Sequence, residues 1–112
     1  MNNEQDINQL EMSIEAAKEL IKLAEACERL KENKDFKSLI LDGYFKEHAI
    51  RLVMLRGDTN VPDDIQAKIL KDIDAIGALR KYLQKISNDG NSALQAVRES
   101  EETIESILAG DE

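Results

Sequence analysis

Residues 33–57, NKDFKSLILDGYFKEHAIRLVMLRG, constrain this chain more than any other stretch. Wound as a helix, Phe36, Leu39, Ile40 and Tyr44 line one face, Leu41, Phe45, His48, Leu52 and Leu55 line a second, and Ile50, Val53 and Met54 fill much of the rest. A helix that is apolar nearly all round is normally a buried one. The stretch is therefore expected to form the centre of a small helical core, with the rest of the chain wrapped about it. Asp42-Gly43 interrupts it near the middle. A glycine inside a helix costs about 1 kcal/mol relative to alanine, which predicts a kink, a short 3₁₀ stretch or, as the preferred reading, a close helix crossing at Gly43.

The neighbouring segments carry narrower stripes. Ile7, Leu10, Ile14, Ala17, Ile21 and Ala24 step by threes and fours, and Ala16, Leu20, Leu23, Cys27 and Leu30 form a second row beside them. This spacing predicts a long first helix over about 7–31, after a frayed polar start at 1–6. Its stripe widens from Ala16 onward, so Ile7, Leu10 and Ile14 either project or pair with another chain. Asp35 is a good N-cap for the second helix, over about 36–56. Arg56-Gly57 is a natural stop, with the glycine available for a left-handed cap. Pro62 suits the first position of a third helix, with Asp63 and Asp64 in its favourable first turn. That helix reads to Ile86 on Ile65, Ile69, Ile73, Ile76, Leu79, Leu83 and Ile86, with Gly77 permitting a close approach. Ser87-Asn88-Asp89-Gly90-Asn91 reads as a turn, and Ser92 to Gln95 has the form of a capping box. A fourth, thinner helix is predicted over 92–108, with Leu94, Val97, Ile104, Ile107 and Leu108 on its stripe and Glu101 interrupting it.

The expected fold is thus all-α: one domain over 1–112, an antiparallel bundle of about four helices with a long first helix, its faces open to sharing between chains. Composition agrees. Of 112 residues 42% are hydrophobic but only 4% aromatic, so the core must be aliphatic. Light aliphatic cores on long helices often need a second copy to bury enough surface against the entropy of ordering the chain. The net charge of −8 is uneven: −5 over 1–28, +3 over 29–56, zero over 57–86 and −6 over 87–112. Both acidic ends would repel a phosphate backbone, which disfavours direct nucleic-acid binding. No apolar run approaches the ~20 residues of a membrane span and no basic-then-apolar leader is present, so no membrane association is expected. One cysteine excludes an intramolecular disulfide and fits a reducing compartment.

The residues do not assemble a chemistry. A di-iron site in a helical bundle needs paired Glu-x-x-His repeats, and His48 is the sole histidine, with Phe45 three residues before it. It is read as a packed core or interface histidine, with a pH-sensitive contact as the sharper alternative. Cys27 lies on a predicted buried stripe and has no histidine partner to activate it. Neither phosphate-binding glycine pattern occurs, and Asp72 and Asp74 face different sides of their helix, so they are not an acid–base pair. No catalytic residue, cofactor or metal site is expected, and the chain is read as no enzyme. What remains is surface for proteins. The candidates are Ile7, Leu10 and Ile14 on the first helix, and Leu94, Val97, Glu101, Ile104, Glu105 and Leu108 on the last, where the acidic end 99–112 makes either a solvated terminus or a docking segment.

At Glu28-Arg29-Leu30 through Phe36, then Leu39-Ile40-Leu41-Asp42-Gly43-Tyr44-Phe45, Ala49-Ile50-Arg51-Leu52, and Asp74-Ala75-Ile76-Gly77-Ala78-Leu79-Arg80-Lys81-Tyr82-Leu83, the chain resembles small α-helical proteins encoded by tailed bacteriophages. The likeness covers roughly residues 28–86. Such proteins tend to be encoded near head and packaging genes and are generally described without a biochemical activity. The resemblance implies a phage origin and a virion-structural or morphogenesis role, in the host cytoplasm or in the virion itself. The alternative is a phage-encoded acidic binder that inhibits or redirects a host protein through its C-terminal helix. Both readings make the partner a protein, with homo-oligomerisation open to either.

Overall fold

The computed structural model describes residues 3–110. Among them there are three helices and no strand: α1 (Asn3–Glu32), α2 (34–56) and α3 (Asp63–Leu108). The all-α expectation is met, but three helices stand where four were predicted. The predicted break at 87–91 does not occur, and the segments expected at 62–86 and 92–108 run together as one helix of 46 residues. Five residues of low helix propensity cost roughly 3 kcal/mol relative to alanines, so packing must override the local turn signal. Gly90 shows how. It is buried, and a Cβ added there would overlap Ala24 Cβ. Lys85 Nζ also bonds Asp89 Oδ2 at 2.6 Å one helical turn away. Gln95 does not reach back to Ser92 as a capping box requires; its Nε2 donates forward to Glu99 Oε1 at 3.1 Å.

The contacts divide the chain into two compact units, 1–27 with 85–112, and 28–84. In the first, the early turns of α1 lie beside the late turns of α3, and Ile14, Cys27, Gly90, Ala93 and Val97 are buried. The first row predicted on α1 is the one turned inward, with Ile7, Leu10, Ala17, Ile21 and Ala24 half-buried. Asn3 to Asp6, expected to fray, are helical, while Met1 and Asn2 lie outside the described residues, as do Asp111 and Glu112. α3 ends on Gly110, whose φ of 81° places it in the left-handed region that closes helix C-termini; its N–H donates to Ile107 O at 3.1 Å.

In the second unit, α2 packs antiparallel on the first half of α3. Leu52, Ile69 and Ile76 form the buried cluster, with Tyr44, Phe45, Ala49, Val61 and Ile73 half-buried against it. The N-cap of α2 is Asn33, not Asp35: Asn33 Oδ1 accepts from Phe36 N–H at 2.9 Å. Asp35 instead sits in the first turn, where its charge favours the helix N-terminus. The middle of α2, Lys37–His48, is π-helical, flanked by α-helical turns Lys34–Phe36 and Ala49–Arg56. This corrects the reading of Gly43 as a helix crossing. A Cβ there would lie 3.1 Å from Ser38 O, the carbonyl five residues back in its own helix, so the glycine relieves the widened turn rather than admitting a neighbour. Gly77 likewise has nothing within 4 Å of a notional Cβ, so no close approach uses it.

The exit from α2 also differs from expectation. Gly57 is right-handed, at φ −81°, and its N–H donates to Val53 O at 3.1 Å. Pro62 lies just before the first helical residue; its carbonyl accepts the first bond of α3, from Gln66 N–H at 2.9 Å. The side chain that closes the α2 end is one the sequence reading passed over. Gln66 Nε2 donates to Leu55 O at 3.0 Å and to Asp58 O at 3.1 Å, while its Oε1 accepts from Arg56 Nη1 at 3.1 Å. Carbonyls at a helix C-terminus have no partner within the helix, and this amide supplies one from α3. Gln66→Ala is expected to lower the unfolding free energy by about 1 kcal/mol and to speed amide exchange over 53–58. Unaltered exchange there would show that water replaces the amide without loss.

Candidate interaction surfaces

The residues predicted to contact a partner are all in the first unit, and the fold divides them. Ile14 and Val97 are buried, Ile7, Leu10 and Ile104 are half-buried, and Leu94, Glu101, Glu105 and Leu108 are exposed. A shallow cleft lined by Asp6, Gln9, Leu10, Ser13, Thr103 and Ile107 places the two candidate stripes alongside each other. Much of their apolar area is therefore covered by the same chain. What stays accessible at the end of α3 is Leu94 and Leu108 with the carboxylates Glu99, Glu101, Glu102 and Glu105.

The larger apolar surface lies where burial was expected. In α2 only Leu52 is buried, whereas Leu39, Ile50, Val53 and Met54 are 70, 64, 59 and 71% exposed. Ile50, Val53 and Met54 are spaced three and one along the α-helical turns Ala49–Arg56, so they share one outward stripe. In the second row of α1 Cys27 is buried, but Leu20, Leu23 and Leu30 are exposed. The all-round apolarity of 36–55 was the available signal for this surface. Taken as a mark of burial within the chain, it does not hold for Leu39, Ile50, Val53 and Met54.

Among the described residues no group of three or more His, Cys, Asp and Glu side chains could hold a metal ion. Cys27 is buried and is in no disulfide. His48 is half-buried and stacks on Tyr44, with ring centroids 5.9 Å apart and planes 19° from parallel; Tyr44 in turn tilts against Phe45 at 5.8 Å. His48 is thus part of a row of three rings in contact along α2. No described helix is long and apolar enough to cross a membrane.

The second unit also contains a cavity of about 440 Å³ between the end of α1, the π-helical part of α2 and α3. Leu41, Phe45 and Leu83 give it an apolar floor, and Lys31, Lys37, Lys46 and Arg80 stand around it with Asp42 and Gln84. Sequence reading missed it because its parts come from three helices, and the mild positive charge of 29–56 was its sole trace. No family model matches the chain, nor does any curated protein or any solved structure.

Proposed function

We propose that this chain is a non-enzymatic interaction module whose working form is an assembly of copies, joined through the outward stripe of α2. The observation that carries this reading is the exposure of Ile50, Val53 and Met54 on the helix that also supplies the core residue Leu52. Contiguous exposed apolar side chains of this size mark an interaction site rather than ordinary surface. A light core supports a second copy as the occupant: among the described residues seven hydrophobic side chains are buried, and small helical folds often complete their burial by association.

A virion-structural or morphogenesis protein of a tailed phage is the narrower form of this proposal, and it rests on the sequence resemblance over 28–86 alone. Light scattering and sedimentation at low and high salt test the general form. The expected result is a particle of at least twice the chain mass that resists salt, since apolar contacts are little screened. Val53→Glu, which places a charge in the stripe without touching the Leu52 cluster, should return the mass to that of one chain with helicity unchanged. A wild-type chain that stays single at every concentration would overturn the proposal. Assembly only with an added host protein would move it to a host-directed binder.

A further inference from the structure

We infer that the cavity in unit 28–84 is a binding site for a small amphipathic anion: a bicyclic aromatic or medium-length alkyl body bearing one carboxylate, phosphate or sulfonate. Three independent features converge on it. Its volume, about 440 Å³, falls within the range of small-molecule sites, and Leu41, Phe45 and Leu83 supply an apolar patch within a lining that is otherwise polar or charged. Its charge is one-sided. Asp42 is the sole carboxylate of the lining and is answered by Lys46 at 3.8 Å; Lys31 is paired with Glu28 at 3.3 Å. Lys37 and Arg80 are in no ion pair among the described residues, so two cations flank the floor with no anion of the protein on them.

The third feature is the winding of α2. Five lining residues, Lys37, Leu41, Asp42, Phe45 and Lys46, come from the π-helical stretch Lys37–His48. At the ~100° per residue of an α-helix they would spread over about 180° of the helix surface. At the roughly 82° per residue of a π-helix, whose bonds run from residue i to i+5, they gather within about 115°. The uncommon winding therefore collects the floor and rim of the cavity onto one face, and Gly43 permits it by leaving Ser38 O uncrowded. π-Helical turns within α-helices occur frequently at functional sites. Here the site that they would serve is this cavity. An apolar body would lie on Leu41, Phe45 and Leu83, with its anionic group between Arg80 and Lys37 and the Gln84 amide within the same lining.

The test uses the full chain labelled with ¹⁵N and titrated with naphthoate, followed by its neutral counterpart naphthylmethanol. Naphthoate should give saturable amide shifts centred on 37–46 and 80–84, and the alcohol should bind at least about tenfold more weakly, since hydrogen bonds to a charged group carry that much. Lys37→Gln/Arg80→Gln should reduce naphthoate to the affinity of the alcohol and leave the alcohol unchanged. Shifts centred on the open stripe 50–54, or equal affinity for acid and alcohol on the unaltered chain, would overturn the inference. The comparison of the two ligands stands even if the double variant fails to fold. Because the cavity does not include Ile50, Val53 or Met54, a single-chain mass for the wild type would remove the assembly proposal and leave this one standing.

Discussion

Leu52→Ala is expected to lower the unfolding free energy by about 2–5 kcal/mol, the range for emptying a buried leucine site. Leu52 is 4% exposed and lies with Ile69 and Ile76 at the contact of α2 with α3. Tyr44, Phe45, Ala49, Val61 and Ile73 pack against this cluster, so removing Leu52 leaves a void between two packed helices that can close only by moving one of them. Domains of this size hold about 5–15 kcal/mol in total, and among the described residues just seven hydrophobic side chains are buried. The loss is therefore a large share of what keeps the unit folded. Met54→Ala, two residues on and facing outward, should change intrinsic stability by no more than about 0.5 kcal/mol. Denaturant titration followed by circular dichroism, at one fixed protein concentration because association adds its own stabilisation, compares the two. An unchanged midpoint for Leu52→Ala would remove it from the core.

The contrast between those two positions marks how far the chain could be read from its residues. Leu52 was placed on a core face by its spacing with Leu41, Phe45 and Leu55, and the inward row Ile7 to Ala24 of α1 was legible in the same way. Periodicity gives the faces of a helix. It does not say how many of them this chain has the means to cover. With two other helices, and with parts of both committed to the first unit, α2 receives one covered face, and its remaining apolar residues stay open. The π-helical winding was not legible at all, because Gly43 is equally compatible with a kink, a crossing and a wide turn, and the choice depends on hydrogen bonds that residue spacing does not encode. The same limit hid the cavity, whose cations are 31, 37, 46 and 80 in sequence and meet only once three helices are in place.

Local signals failed most clearly at 87–91, and one substitution there measures what overrode them. Gly90→Ala is expected to destabilise the chain by about 1–3 kcal/mol, the usual cost of overpacking, although alanine is favoured over glycine within a helix by about 1 kcal/mol. The conflict is specific. The added methyl would overlap Ala24 Cβ, a short side chain with no rotamer to escape into, whereas the next atoms, Leu20 O and Ala24 Cα, lie at ordinary contact distances of 3.5 and 3.6 Å. The sign should therefore reverse in an Ala24→Gly background, where Gly90→Ala meets no Cβ and adds its helix propensity as a gain of about 1 kcal/mol. A double-mutant cycle by denaturant titration gives the coupling directly, expected at about 2 kcal/mol or more. If residues 87–91 formed the turn that their composition signals, alanine at 90 would cost the same in both backgrounds and the coupling would vanish. Reversal would mean that Gly90 is there to let α1 and α3 approach, and that α3 runs unbroken because this contact outweighs the preference of five residues for a turn.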